Sequence, residues 1–351
     1  MARMPKLGGK SVSGKKLPEF TWNADLIEFD GPLVSLFKSD RDADALFVWV
    51  DCDRYKNRWC IVQVVRSNLR GYLNAEIALR DLFEQAGDLY FFDVGPSGRR
   101  SNFVVSTIGI VPQSYLPAAD SMLDDSVATD AARRLASEGT SSCVFNLDGE
   151  LYLDDISAIP KLIQQLYSFH YGLTHSYRPA VRDKLTEIMG KWRGGVNAVN
   201  IFTGLKSVIP SIHRPQITEL HYASPGHIKL DALPDLTQHI DAALNRISDD
   251  QNFERMQELY SSIYDYFKRE ELSGFDDVDV SKATQITNRQ SGDLEGFFNV
   301  FFDALGWSSY SDSFRGLDPS PLARMRVLLA YYRRLRQLRE FVGQGKLRLQ
   351  S

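Results

Sequence analysis

Five arginines, Arg326, Arg333, Arg334, Arg336 and Arg339, fall within one short stretch near the end of the 351-residue sequence. A guanidinium makes two parallel hydrogen bonds to a phosphate or carboxylate, so arginine at this density is suited to gripping an anion. A helical period sets Leu328, Tyr331, Leu335, Leu338 and Val342 in one apolar stripe. Arg326 and Arg333 fall opposite that stripe, with Arg334 and Arg336 on its flanks. The spacing predicts a basic amphipathic helix over 320–342. Such a helix could contact another protein, nucleic-acid phosphates or an anionic membrane surface. It equally suits a plainer role, packed on the body of the protein with its arginines in water.

Carboxylates offer a second chemistry. Asp51 ends one predicted strand and Asp53 opens the next turn, close enough to hold a divalent ion or to act as acid and base. Asp276, Asp277 and Asp279 form another acidic group in a polar linker. Either set would serve a metal-dependent hydrolase or nuclease. Asp is also common at strand ends and turns, and Trp49 and Trp59 beside the first pair suit cross-strand packing. The six histidines lack metal spacing. His170 and His175 would lie about 140° apart on a helix, and a simple hairpin register leaves His221 and His227 unpaired. Cys52 and Cys60 make no CxxC, and Gly95-Pro96-Ser97-Gly98-Arg99-Arg100 lacks the P-loop spacing. No GxSxG elbow or kinase signature occurs, so no metal or cofactor is expected.

The elements that must position these groups are legible in outline. Charge is sorted by position: residues 1–20 carry five Lys/Arg against one Glu, and residues 321–351 carry eight against Glu340. The intervening residues are therefore acidic by 15, although the total is −4. Three cysteines are too few for a disulfide framework, and no apolar run is long enough to span a membrane. A cytoplasmic protein of two domains is expected. Residues 1–19, rich in Gly, Ser and Lys, are expected to be a disordered basic tail. Short apolar runs at 23–29, 32–37, 45–52, 59–65, 89–94 and 103–111, with a helix near 77–83, predict a small α+β domain over 20–115. A boundary region follows at 116–150, with a helix through Leu135 and a strand at 143–147. Beyond it the period becomes helical over 151–351, interrupted by a hairpin at 216–231 about Ser224-Pro225-Gly226. The fold class is α+β.

Within about residues 25–95, Gly31, Pro32, Leu36, Phe37, Trp49, Asp51, Arg58, Trp59, Leu79, Leu82 and Phe83 recur in an order that resembles a small N-terminal domain of unknown function in bacterial proteins. The hairpin text ITELHYASPGHIKLDA is similar to text in bacterial proteins that often lie in accessory gene neighbourhoods, including suspected phage-defence loci. The resemblance implies a fold and a setting but no catalytic residue. The function expected is a non-catalytic binding or sensing component of a multi-protein system, with the arginine-rich helix as its contact surface. A carboxylate hydrolase and a peripheral binder of anionic lipid are the alternatives.

Overall fold

Alternating apolar residues along the first third of the chain become the strands of one antiparallel meander. The computed structural model describes residues 4–41, 43–96, 98, 102–191, 199–272, 286–316 and 320–348. The strands are β1 (Lys10–Val12), β2 (Phe20–Glu28), β3 (Pro32–Ser39), β4 (Asp44–Cys52), β5 (Asn57–Val64), β6 (Leu89–Val94) and β7 (Phe103–Ser106), in sheet order β1-β7-β6-β5-β4-β3-β2. The predicted Asp30-Gly31 turn joins β2 to β3, with positive φ at both residues. Trp49 and Trp59 face each other across β4 and β5, as cross-strand packing requires.

Period-two alternation gives this sheet two apolar faces. Leu46, Val48, Cys60, Val62 and Phe91 point to the larger one. There α1 (Arg66–Leu73), α2 (Leu79–Gln85) and α3 (Asp130–Ser137) bury Leu69, Tyr72, Leu82, Phe83, Ala132 and Leu135. Ala45, Phe47, Ile61, Phe92 and Phe103 form the smaller, aromatic face.

Two features of this unit depart from the sequence reading. The N-terminal residues were expected to be disordered, yet β1 pairs with β7, and Leu7 and Leu17 pack on the two apolar clusters. A few aliphatic side chains on an open sheet edge are enough to order a polar segment. The unit also runs to Gly139 and includes residues 207–214 from much later in the chain. Ile212 of that segment is buried in the larger cluster. Its backbone is held by Asn23 on Val208 (2.8 Å), Arg66 on Arg214 (2.7 Å) and Asp44 accepting from the Ser211 amide (2.8 Å).

The second unit comprises residues 140–206 and 215–351. Its sheet has the order β11-β8-β10-β9, built from β8 (Ser141–Leu147), β9 (Gln216–His221), β10 (Gly226–Ala232) and β11 (Leu347–Arg348). The predicted hairpin is therefore half of a four-stranded sheet. Its register places His221 opposite His227, rings 5.6 Å apart, with residues 222–226 between them. A tight two-residue turn would have set them out of line.

The helices of this unit are α4 (Leu153–Thr174), α5 (Pro179–Lys191), α6 (Val199–Gly204), α7 (Pro234–Ser248), α8 (Asp250–Arg269), α9 (Asn288–Leu305), α10 (Ser311–Arg315) and α11 (Pro321–Gly343). The last packs against α4, α7 and α9. None of the described helices is long and apolar enough to cross a membrane.

One buried acid in this unit sets a pH dependence. Burial pushes the Asp241 carboxyl on α7 up to about 6, within electrostatic reach of the Cys143 thiol on β8. Its folded pKa exceeds its unfolded one, so ionisation opposes folding. The cost is absent below about pH 4, grows between about 4 and 6, and is constant above. Asp241→Asn should therefore raise stability at pH 7 by about 1–2 kcal/mol, allowing for solvent screening of a partly exposed group, and change little at pH 4. Denaturant unfolding at the two pH values measures the difference.

Candidate anion-binding cleft

The arginine helix is the centre of its unit. Residues Val327 to Tyr332 are buried without interruption, so apolar contact surrounds α11 instead of following one stripe. This corrects the expectation of a surface helix with arginines facing water. Arg326 is 5% exposed and Arg334 8%. Of the predicted stripe, Leu328, Tyr331, Leu335 and Leu338 are buried inside the protein and Val342 is half-buried.

The five predicted arginines do not act as one set. Burial lowers the Arg326 guanidinium from its ordinary range. Arg339 donates to the Ile247 carbonyl (2.6 Å) and to Asp250 (2.8 Å), with its guanidinium 3.6 Å over the Phe253 ring. Arg336 lies 3.9 Å from Glu340 and over the Tyr260 ring. These interactions fasten α11 to α7, to α8 and to itself.

Arg333 and Arg334 differ, because their partners are neutral. Nη1 of Arg333 donates to the hydroxyls of Tyr264 (3.0 Å) and Tyr260 (3.4 Å). Burial and the Tyr260 hydrogen bond hold the Tyr264 hydroxyl up at about 12, so it carries no charge at neutral pH. The buried Nη2 of Arg333 has no hydrogen-bond partner. Arg334 donates to the Gln165 side chain (2.7 Å) and the Ala330 carbonyl (2.9 Å), and its guanidinium lies 3.9 Å over the Phe202 ring. Burial, reinforced by Arg333, lowers it to about 10. No carboxylate among the described residues balances either arginine.

Both arginines line a cleft of about 850 Å³ between α4 and α11. The helices run antiparallel there, since Gln165 meets Arg334 at one end and Asp155 meets Lys346 (2.7 Å) at the other. Lys161 enters from α4 between them, exposed and without a carboxylate partner among the described residues. Gln337, Glu340, Phe341 and Gln344 continue the α11 wall. Asp155 is held below the usual carboxylate range by Lys346 and by the Tyr152 amide, so that pair is neutralised. Glu340 also lines the cleft, 3.9 Å from Arg336, and among the described residues no carboxylate lies within ion-pair distance of the three other cations, Lys161, Arg333 and Arg334.

Sequence spacing alone did not single out Lys161, Gln165, Phe202, Gln337 or Lys346. Lys161 and Gln165 stand four apart on α4, the one signal that they share a face.

The carboxylate pair resolves into structural contacts. Asp53 accepts from the amides of Tyr55 (2.8 Å) and Lys56 (3.0 Å) and so closes the β4–β5 turn. Asp51 accepts from the Cys52 amide (2.8 Å) and from the Tyr115 hydroxyl (3.0 Å). Tyr115 in turn receives Arg58 (2.8 Å), which holds Asp93 through two nitrogens, 2.7 and 3.0 Å away, with Lys56 on the same carboxylate. A cleft of about 740 Å³ lies here, lined by Asp53, Lys56, Arg58 and Asp93 beneath residues 4–7, with the Arg58–Asp93 ion pair and its Lys56 contact already compensated. Among the described residues no group of three or more His, Cys, Asp or Glu side chains could hold a metal ion. Asp276, Asp277 and Asp279 lie outside the described residues.

Comparison of the chain with protein-family models, with curated proteins and with solved structures finds no significant match.

Proposed function

We propose that this protein is a non-catalytic binding component whose C-terminal unit captures an anionic group in the cleft between α4 and α11. The reading is carried by one observation: Lys161, Arg333 and Arg334 converge on a cleft whose two carboxylates, Asp155 and Glu340, pair with Lys346 and Arg336, so that among the described residues none pairs with these three. Burying a guanidinium beside another cation is costly, and among the described residues it is a neutral side chain, a carbonyl and a ring that offset the cost for Arg334. A phosphate or carboxylate entering the cleft supplies the missing charge at a place where water screens it poorly. The anion could sit on a protein partner or on a smaller ligand. The wider setting, a multi-protein system with this chain as its sensing part, rests on the resemblance described above.

Inorganic pyrophosphate is a suitable probe, titrated into the full-length protein by calorimetry at low and moderate salt. Binding should weaken as salt rises. Lys161→Glu should weaken it by about tenfold or more, since reversal replaces an attraction with a repulsion. Arg334→Met should abolish binding while leaving the melting temperature unchanged or raised, because an apolar side chain removes a buried charge without a counter-ion. Affinity unaltered by both substitutions would remove this cleft as the site.

A further inference from the structure

The cleft carries more than charge, and its other lining groups are ordered along it. Arg333 and Arg334 stand at one end, Lys161 lies toward the middle from the opposite wall, and Phe341 and Gln344 follow on α11. Arg334 and Phe341 are separated by about 10 Å along the helix axis. That spacing suits a ribose and its first phosphates between a phosphate grip and an aromatic ring.

Phe341 lines the cleft and is half-buried, and Gln337 and Gln344 line it exposed. A phenyl face stacks on a planar base, and a glutamine amide offers both a donor and an acceptor to a base edge. The volume, about 850 Å³, falls within the range of small-molecule sites. A cleft meant only for a small inorganic anion would need neither the ring nor the amides.

We infer that the ligand of this cleft is a nucleoside polyphosphate, its phosphates held by Arg333, Arg334 and Lys161 and its base stacked on Phe341 between Gln337 and Gln344. This rests on the anion-binding reading above and adds the base to it. Arg334 is already oriented by Gln165 and Phe202, so the phosphate end is built before the ligand arrives.

The test compares inorganic triphosphate with the four ribonucleoside triphosphates, each titrated into the full-length protein in metal-free buffer. At least one nucleotide should bind roughly tenfold or more tightly than triphosphate, the gain expected from stacking one base. Phe341→Ala and, separately, the exposed Gln344→Ala should erase or reduce that advantage while inorganic triphosphate binds both variants as before. Equal affinity for nucleotides and triphosphate would overturn the nucleotide assignment and leave the anion site standing. An advantage that survives both substitutions would place the base elsewhere and also overturn it. If no probe binds, the anion-binding reading itself falls and this inference falls with it.

Discussion

Asp44→Ala is expected to destabilise the N-terminal unit by about 3–5 kcal/mol, the largest effect anticipated for a single substitution in this protein. Asp44 and Lys38 sit opposite each other on β4 and β3, 3.6 Å apart and each 1% exposed. Removing the carboxylate takes the charged partner at 3.6 Å from an ammonium that is 1% exposed. It also takes the acceptor from the Ser211 amide and so loosens residues 207–214 from the sheet. Lys38→Met alone should cost less, because the Asp44 carboxylate keeps the Ser211 amide at 2.8 Å. The double variant Lys38→Met/Asp44→Leu should recover much of the loss, since a well-packed apolar pair commonly replaces a buried ion pair. Denaturant unfolding of the three variants decides the matter. Additive losses in the double variant would show that the two charges do not act on each other.

Arg58→Met should follow closely, at about 2–3 kcal/mol. One guanidinium serves Asp93 twice, the Tyr115 hydroxyl, and the Pro5 carbonyl at 2.8 Å, so its loss frees two strands and the N-terminal segment together. The effect carries a pH signature. Burial alone would raise the Asp93 carboxyl, but Arg58 and Lys56 outweigh it and hold the group below its ordinary range. A folded pKa below the unfolded one stabilises the protein above the unfolded value, and that stability is lost as pH falls through the folded value. The gap between wild type and Arg58→Met should be widest at neutral pH and narrow toward pH 3. A gap independent of pH would mean that Arg58 acts by packing on the Tyr115 ring, 5.5 Å away, and not by charge.

Local signals carried the sheet. The runs that became β2 to β5 are rich in β-branched and aromatic residues and are separated by Asp-Gly or polar turns, which fix strand ends without help from distant residues. The helix through Leu135 and the hairpin about Gly226 were legible for the same reason. The fate of Lys10–Val12 was not, because a three-residue strand is defined by the edge it joins and not by its own sequence. Residues 207–214 were hidden more deeply. Their pairing with Asn23, Asp44, Arg66 and Arg70 links positions more than a hundred residues apart, and no local period records such a link.

The arginine helix shows the same limit in another form. Its arginines suggested a polar face, and Tyr331 was read as part of one apolar stripe. A guanidinium that lies on Phe202, Phe253 or Tyr260 is packed as an aromatic neighbour would be, and charge counted along the sequence does not reveal that. Arg333 and Arg334 were identified as candidates from their type alone. Lys161, which shares the cleft with them, comes from a helix far away in the sequence and could be found only by folding the chain.

The late return of residues 207–214 to the first unit has a consequence for how the protein is made. When Gly139 leaves the ribosome, the sheet and its three helices have all been synthesised, but Ile212 and the backbone acceptors for Asn23 and Arg66 have not. At bacterial or eukaryotic elongation speeds those residues follow after about 4–15 s. During that interval Asn23 and Asp44 face an unfilled groove, and the nascent sheet is exposed to chaperones and to wrong partners. Synthesis rate and codon usage over 140–214 therefore bear on the yield of folded protein, although most of that stretch belongs to the other unit.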